Sequence, residues 1–232
     1  MPGAIRSGLH FRDVRAPAKV NAVSQAALIV VDMQPDFLPG GALAVAGGDE
    51  ILEPVAQLMA ARRFPLAVAT QDWHPRGHVS FASSHPGRKP YDRIEVHGRE
   101  QVLWPDHCVQ GTAGAELVPG LPWETVSAII RKGTDPAVDS YSGFRNNWDA
   151  RGERPPTGLA GYLRERGIEE VFVCGLARDY CVRWSAEDAR DLGFETAIIW
   201  DLTRSVDPSG DDALREHCAR RGIRLVEASD LL

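Results

Sequence analysis

The feature that most constrains the fold is a regular alternation between short apolar runs and stretches with helical character. The runs are apolar at consecutive positions, as parallel strands buried on both faces are. They are 27–31, 66–70, 126–131, 170–175, 196–201 and 223–227. Helices are predicted between them at 51–62, 158–166, 180–192 and 208–220. This alternation predicts a three-layer α/β/α fold with a doubly wound, mainly parallel six-stranded sheet.

One long region interrupts the alternation, from about residue 72 to residue 123. It holds no clear strand or long helix and is dense in His, Pro, Gly and Ser. A long irregular segment inside a compact domain is usually functional. We therefore expect this region to contribute to a site.

The length of the chain is sufficient for one large domain. It has 232 residues, of which 44% are hydrophobic. We assign the domain to residues 26–232 and treat residues 1–25 as an N-terminal extension. The extension has scattered charges and no apolar core, so it is not predicted to be a secretory signal. No apolar stretch is long enough to span a bilayer.

The charge and cysteine content point to a small-molecule partner in a reducing compartment. The chain has 26 Lys and Arg, 32 Asp and Glu, and no long basic run, so nucleic acid and membrane surfaces are poor partners. Its four cysteines, Cys108, Cys174, Cys181 and Cys218, show no CxxC pair. Free thiols without a secretory signal predict a cytoplasmic location. The sequence is compatible with a monomer or a homo-oligomer.

Reactive side chains follow four of the predicted strands at their carboxyl ends. Asp32 follows the first strand, Asp72 and His74 the second, and Lys132 the third. Cys181 comes soon after the fourth strand, where a helix is predicted to begin. Ligands of open parallel sheets bind outside the carboxyl ends of the strands. We therefore expect these side chains to meet at one edge of the sheet.

Asp32, Lys132 and Cys181 together supply what cleavage of an unactivated amide requires. Cysteine is nucleophilic as the thiolate, and a neighbouring ammonium and a helix N-terminus lower its pKa. An aspartate between the two can accept the thiol proton and later pass it to the leaving amine. The set predicts nucleophilic catalysis by Cys181.

A metal site is predicted from Asp72 and His74. These residues alternate along the chain, so their side chains point the same way on extended backbone. A third ligand from the irregular region would complete a facial set of two histidines and a carboxylate, which suits Zn²⁺, Fe²⁺ or Mn²⁺. The candidates for this third ligand are His78, His85, His97 and His107.

Seven strings of the sequence carry a family resemblance. They are VDMQPDF at 31–37, TQDWHP at 70–75, HVSFA at 78–82, LWPDHCVQGT at 103–112, RKG at 131–133, DSYSGF at 139–144 and GLARDYCV at 175–182. These strings resemble those of the nicotinamidases in the isochorismatase-like cysteine hydrolase superfamily. The resemblance runs from about residue 26 to the C-terminus. The WPDHC and DYC strings are highly specific to this group.

The resemblance implies a role for each matched position. It implies a catalytic triad of Asp32, Lys132 and Cys181, and metal ligands Asp72, His74 and His107, with Ser80 and His78 as further candidates. It implies a cis peptide bond between Leu176 and Ala177, and an oxyanion hole formed by the backbone N–H groups of Ala177 and Cys181. The aromatic walls of the substrate site would be Phe37, Trp104 and Tyr141.

The same resemblance implies hydrolysis of nicotinamide to nicotinate and ammonia through a cysteine thioester, in NAD salvage, with pyrazinamide as a second substrate. It implies one divalent metal ion, with zinc favoured over iron or manganese. The alternative is a related cysteine amidohydrolase acting on another small carboxamide or an N-carbamoyl compound. A dinucleotide-binding oxidoreductase is disfavoured because no GxGxxG follows the first strand. A non-catalytic module is disfavoured because no triad member is missing.

Arg178 departs from the family pattern, which usually has a small residue, commonly threonine, at this position. Because arginine side chains are mostly exposed, we expect this one to point to solvent. An orientation into the pocket would instead alter the choice of substrate.

Overall fold

The computed structural model describes residues 25–232, so the predicted N-terminal extension lies outside the described residues except for Gln25. The main strands are β1 (Ala26–Val31), β2 (Leu66–Asp72), β5 (Ala128–Lys132), β6 (Glu170–Leu176), β7 (Glu195–Arg204) and β8 (Arg224–Val226). They form one sheet in the order β5-β2-β1-β6-β7-β8, and every pairing is parallel. The predicted six-stranded sheet is confirmed, and it is wholly parallel.

Helices cover both faces of this sheet, as the predicted three layers require. They are α1 (Leu52–Ala60), α2 (Leu159–Arg164), α3 (Arg183–Asp191) and α4 (Asp211–Arg221). Consecutive residues of β1 belong to different apolar clusters. Leu28 packs in the cluster that contains Leu58 of α1, whereas Ile29 packs in the cluster that contains Leu163 of α2 and Ala186 of α3. The two-residue period of a strand thus buries both faces of the sheet.

The chain reverses its direction of progress across the sheet at β1. Strands β2 and β5 lie on one side of β1, and β6, β7 and β8 lie on the other. Such a switch point is where open α/β sheets bind ligands. Here β6 approaches β1 closely at Gly175, where φ is +108° and a Cβ would lie 2.1 Å from the Val31 carbonyl oxygen. Only glycine permits this approach.

The expectation that residues 72–123 contain no strand is wrong. An antiparallel hairpin pairs β3 (Arg93–Val96) with β4 (Arg99–Val102). Its two turn residues, His97 and Gly98, have φ values of 51° and 73°, as the favoured two-residue hairpin turn requires. The strands are short and mostly exposed, so they give a weak hydrophobic pattern.

The helix predicted at 180–192 also needs correction. A five-residue π-helical turn, Arg178–Val182, precedes α3, which begins only at Arg183. The other predicted helices and strands are present with shifted ends; β7, for example, extends to Arg204 instead of ending at residue 201. Across residues 25–232, no helix has the length and apolar character needed to cross a membrane.

Candidate active site

The side chains that follow four strands lie together at the carboxyl edge of the sheet. Lys132 ends β5, Asp72 ends β2 with His74 just beyond, Asp32 follows β1, and Cys181 follows β6. These strands are neighbours in the order β5-β2-β1-β6. All five side chains are buried. The structure therefore brings the predicted triad and two predicted metal ligands into one buried group.

The ammonium of Lys132 contacts both buried carboxylates and the thiol. Its Nζ lies 2.9 Å from Oδ2 of Asp32 and 2.9 Å from Oδ1 of Asp72. It also donates to Sγ of Cys181 at 3.4 Å and to the Ser140 carbonyl oxygen at 3.2 Å. Burial opposes the charge, but the two carboxylates outweigh it and raise the pKa of Lys132 well above its ordinary value. Lys132 is therefore a permanent cation at neutral pH.

Asp32 is held so that one carboxylate oxygen remains available. Its backbone φ of 46° lies in the left-handed region, which is uncommon for a non-glycine residue. Oδ1 accepts a hydrogen bond from the Thr70 hydroxyl at 2.6 Å. Oδ2 pairs with Lys132 but has no well-aligned hydrogen-bond donor. Burial raises the pKa of Asp32, with the Lys132 charge opposing it. A carboxylate of this kind can accept and release a proton.

Cys181 lies in the π-helical turn after β6, and its thiol is buried. Burial raises the pKa of this thiol well above its ordinary value; Lys132 lowers it, and the Asp32 and Asp72 carboxylates raise it further. The ammonium of Lys132 lowers the thiol pKa, as expected, but burial outweighs this effect. The resting group is a neutral thiol, and a thiolate forms only as its proton leaves.

The residues predicted to form an oxyanion hole lie beside the thiol. The peptide bond between Leu176 and Ala177 is cis, as the family resemblance implies. The Ala177 carbonyl oxygen accepts hydrogen bonds from the backbone N–H groups of Tyr180 at 3.2 Å and Val182 at 3.1 Å. These bonds fasten Ala177 to the turn that carries Cys181. Both Ala177 and Cys181 line the same cavity.

Asp72, His74 and His107 form a group that fits a divalent metal ion. Oδ2 of Asp72 lies 3.2 Å from Nε2 of His74 and 3.6 Å from Nε2 of His107. The Nδ1 atoms lie 3.1 Å and 2.8 Å from the carbonyl oxygens of Gly133 and Pro105. A carbonyl oxygen only accepts, so each Nδ1 carries a proton, and each Nε2 is the nitrogen that can present a lone pair to a metal ion. Two imidazoles and one carboxylate whose ligand atoms all lie within 4.8 Å of one another are a metal-binding donor set.

The charges within this group keep Asp72 ionised. Burial opposes ionisation, but His74 in its protonated form and Lys132 hold the pKa of Asp72 well below its ordinary value. The group is closely packed, since a Cβ on Gly133 (φ +65°) would lie 2.4 Å from Cε1 of His74. Only glycine at this position leaves room for the imidazole ring.

The remaining histidine candidates for the metal differ in position. His85 and His97 each bind a backbone carbonyl oxygen away from the group, on Val79 and Ala137. His78 is buried, its ring centroid lies 4.3 Å from that of His74, and it forms a second potential metal group with His74 and Asp139.

Ser80 lies next to His78. Its Oγ is 2.8 Å from His78 Nδ1, and both side chains are fully buried. Burial lowers the pKa of His78 to about 4, and His74 in its protonated form lowers it as well. His78 is therefore neutral at physiological pH.

Two supporting residues were missed by the sequence reasoning although they lie within the matched string at 31–37. The Gln34 amide forms two hydrogen bonds with the backbone of Asp72, donating to its carbonyl oxygen at 2.8 Å and accepting from its N–H at 2.7 Å. Oδ2 of Asp36 accepts from the backbone N–H of Cys108 at 2.7 Å, next to His107. Each side chain fixes the backbone beside a candidate metal ligand.

One small cavity is lined by both the thiol and the metal-binding group. Its lining includes the predicted aromatic residues Phe37, Trp104 and Tyr141, and also Leu43, Tyr180 and Val206, which were not predicted. Trp104 Nε1 donates to the Tyr141 hydroxyl at 3.2 Å, and the Trp104 and Tyr180 rings lie edge to face at 4.8 Å. The aromatic walls suit a flat ring.

The expectation that Arg178 points to solvent is wrong. Its side chain is buried, and it does not line the cavity either. The guanidinium donates to the Thr203 hydroxyl at 2.7 Å and pairs with Asp211. The planar guanidinium also stacks on Trp200, with its central carbon 4.0 Å from the ring centroid.

A three-layer fold with a buried thiol, ammonium and carboxylate in contact at the switch point defines a cysteine hydrolase. The sequence matches the Isochorismatase domain family over residues 26–230, and the chain belongs to that family.

Characterised relatives narrow this class. The chain is 47% identical over 216 residues to the nicotinamidase of Acinetobacter baylyi, covering 92% of this chain and 98% of that protein. The solved nicotinamidase/pyrazinamidase of Acinetobacter baumanii is 44% identical, with a TM-score of 0.84 over 90% of this chain and 99% of that one. The pyrazinamidase of Pyrococcus horikoshii in complex with zinc is 39% identical, with a TM-score of 0.70 over 88% and 99%. The chain is a hydrolase that acts on carbon–nitrogen bonds of linear amides.

Proposed function

We propose that this chain hydrolyses nicotinamide to nicotinate and ammonia, and pyrazinamide in the same way. The observation that carries the proposal is the Cys181 thiol, 3.4 Å from Lys132, in an aromatic cavity that the metal-binding group also lines. A flat ring bearing a carboxamide matches this cavity. The nicotinamidase and pyrazinamidase relatives support the choice of substrates.

The reaction begins when the carboxamide carbon approaches Cys181. The thiol proton moves to Oδ2 of Asp32, which has no well-aligned donor of its own, and the new thiolate forms a bond to the carboxamide carbon. The negative charge that develops on the oxygen is stabilised by the backbone N–H groups of Ala177 and Cys181. Lys132 stays protonated, so it stabilises the thiolate and the carboxylate in turn.

The tetrahedral intermediate then collapses. Asp32 gives its proton to the nitrogen as the carbon–nitrogen bond breaks, which releases ammonia and leaves a thioester on Cys181. Water attacks this thioester with Asp32 as the base. The acid product leaves, and the proton returns to the Cys181 sulfur. Water is the only other reactant consumed.

We propose zinc as the resident metal ion, held by Asp72, His74 and His107. Two neutral imidazoles and a carboxylate are a common zinc donor set, and the zinc-bound Pyrococcus horikoshii relative supports this choice. When bound, the ion would act as a Lewis acid toward the substrate ring. Phe37, Trp104 and Tyr141 orient the ring by packing against it.

The test is ammonia release from nicotinamide by the purified, metal-replete protein. Cys181→Ala should lose essentially all turnover and keep its metal ion, because its thiol is not part of the donor set. Cys218→Ala is the matched control; this buried cysteine lies on α4, outside the cavity, and its replacement should retain turnover. No release from the wild type would overturn the assignment of nicotinamide. Turnover by Cys181→Ala would overturn the role of the thiol.

A further inference from the structure

The π-helical turn that carries Cys181 packs against an irregular part of β7. The register between β6 and β7 shifts, so that Val173 pairs with Ile198 but Gly175 pairs with Thr203. Extra residues of β7 therefore bulge out of the ladder between these pairs. Carbonyl groups in such a bulge lose their strand partners, and a buried carbonyl needs another donor.

Arg178 supplies several of the donors here, in addition to the Thr203 hydroxyl, which donates to the Trp200 carbonyl oxygen, and the Arg204 guanidinium, which donates to that of Thr203. Its Nη2 donates to the carbonyl oxygens of Trp200 at 3.0 Å and Thr203 at 2.7 Å, and its Nε donates to the Thr203 hydroxyl at 2.7 Å. Its Nη1 pairs with Asp211 at the start of α4. One planar guanidinium thus connects the nucleophile's turn to both the bulge and α4.

We infer that Arg178 is a positioning residue for the hydrolysis: it seats the turn that carries Cys181 and the Ala177 N–H against the bulge of β7. It lies between these two residues in the chain, next to Ala177. It touches neither the cavity nor the reacting atoms. Its effect on the reaction is therefore exerted through the backbone of the turn. The inference deepens the proposed function and rests on it.

The geometry also explains why arginine is needed. Four acceptors surround the group, and the guanidinium has five N–H donors in a fixed fork. Lysine has three donors on one nitrogen and cannot reach the same four acceptors. The turn has a second fastening, since the Asp179 carboxylate accepts from the backbone N–H groups of Val206 and Asp207, both at 2.9 Å. Loss of Arg178 should therefore shift the turn without unfolding it.

Arg215 provides a matched control, because it stacks on the same tryptophan ring as Arg178. Arg178 stacks on the Trp200 ring at 4.0 Å and Arg215 of α4 stacks on the same ring at 3.9 Å. Arg215 is exposed, and among the described residues no hydrogen bond or ion pair joins its side chain to the turn. Replacing Arg215 removes a similar stacking contact and charge, yet leaves the seating of the turn intact.

The experiment compares Arg178→Lys and Arg178→Met with Arg215→Met, all metal-replete. Active fractions are normalised by titrating Cys181 with iodoacetamide. We expect kcat for ammonia release to fall about 10-fold for Arg178→Lys and about 100-fold for Arg178→Met, as sub-ångström misplacement of reacting groups does. KM should stay within about 2-fold, and Arg215→Met should match the wild type within about 2-fold.

A second readout does not need turnover. Pyridine-3-carbaldehyde forms a tetrahedral adduct with the thiol, whose oxygen occupies the oxyanion position, whereas nicotinate binds without an adduct. Arg178→Met should bind the aldehyde about 10-fold more weakly and should bind nicotinate with unchanged affinity. Only the adduct depends on the position of the Cys181 sulfur and of the backbone N–H groups in the turn. Equal loss for both ligands, or kcat within 2-fold of wild type in Arg178→Met, would overturn the inference. Absence of wild-type turnover would instead count against the proposed function alone.

Discussion

The ammonium nitrogen of Lys132 lies 2.9 Å from Oδ2 of Asp32, and neither side chain is exposed to solvent. Lys132 is equally close to the Asp72 carboxylate, so one cation balances two buried anions that serve different parts of the site. The triad and the metal-binding group are therefore electrostatically one unit. Replacing one of these residues should change the pKa values of the others.

Replacing Lys132 by Met should abolish turnover and destabilise the fold. It leaves two buried carboxylates without their cation, and breaking a buried ion pair costs about 3–5 kcal/mol. Chemical denaturation of the metal-free protein measures this loss. The double variant Lys132→Met/Asp32→Asn removes one of the stranded charges, so it should regain part of the free energy of unfolding but none of the activity. A Lys132→Met protein as stable as the wild type would contradict the ion-pair account.

Asp32→Asn should separate the electrostatic effect of Asp32 on the Cys181 pKa from its role as the proton carrier. Burial is the main reason that the thiol pKa is raised, and the Asp32 carboxylate raises it further. Removing that negative charge lowers the pKa, so more thiolate exists at a given pH and alkylation by iodoacetamide should be faster. Turnover should nevertheless fall by at least about 10²-fold, because the proton carrier is lost.

The pH dependence of alkylation measures both consequences. In the wild type the rate should keep rising between about pH 6 and 10 without levelling near neutrality, because the raised pKa keeps the thiol protonated. The Asp32→Asn curve should shift to lower pH. A shift to higher pH would mean that Asp32 does not face the thiol as an anion.

The sequence predicted the convergence of Asp32, Asp72, Lys132 and Cys181 because that convergence follows from a general rule of parallel sheets. Each residue comes at or just after the end of an apolar run, and neighbouring parallel strands end at the same edge. The apolar runs themselves are recognisable because both faces are buried. The prediction needed no knowledge of side-chain contacts.

Features that depend on contacts distant in sequence could not be predicted in this way. The bulge of β7 has no local signal, so nothing near Arg178 indicated that its guanidinium would be buried against the carbonyl groups of Trp200 and Thr203. The net pKa of Cys181 likewise depends on burial, which spacing does not report. The β3–β4 hairpin did carry a local signal, the Gly98 turn, but its short strands are mostly exposed.

Asp36 should control metal affinity without touching the metal ion. Its carboxylate holds the backbone of Cys108 beside His107, and loss of such outer contacts typically costs about 10- to 100-fold in affinity. Asp36→Ala should lower zinc affinity by that factor in competition with a chelator. Asp36→Asn retains an oxygen that can accept the same hydrogen bond and should stay within about 3-fold of the wild type. Equal affinities for Asp36→Ala and the wild type would rule out this role.

Tyr141 should contribute through its ring more than through its hydroxyl group. The hydroxyl contacts Trp104 and Gln101 of the protein, whereas the ring lines the cavity. Tyr141→Ala should raise KM for nicotinamide about 10-fold, in keeping with the loss of one aromatic contact. Tyr141→Phe should keep KM within about 3-fold. Steady-state kinetics decide the matter, and a large rise in KM for Tyr141→Phe would assign the contribution to the hydroxyl.

The central claim is that the carboxamide is cleaved through a thioester on Cys181. It is tested most directly by acid-quenching the enzyme during turnover of nicotinamide and analysing its peptides by mass spectrometry. The account predicts a nicotinoyl group on the sulfur of Cys181 that disappears once the substrate is exhausted. A nicotinoyl group on another residue, or full turnover by an enzyme whose Cys181 has been alkylated, would contradict it.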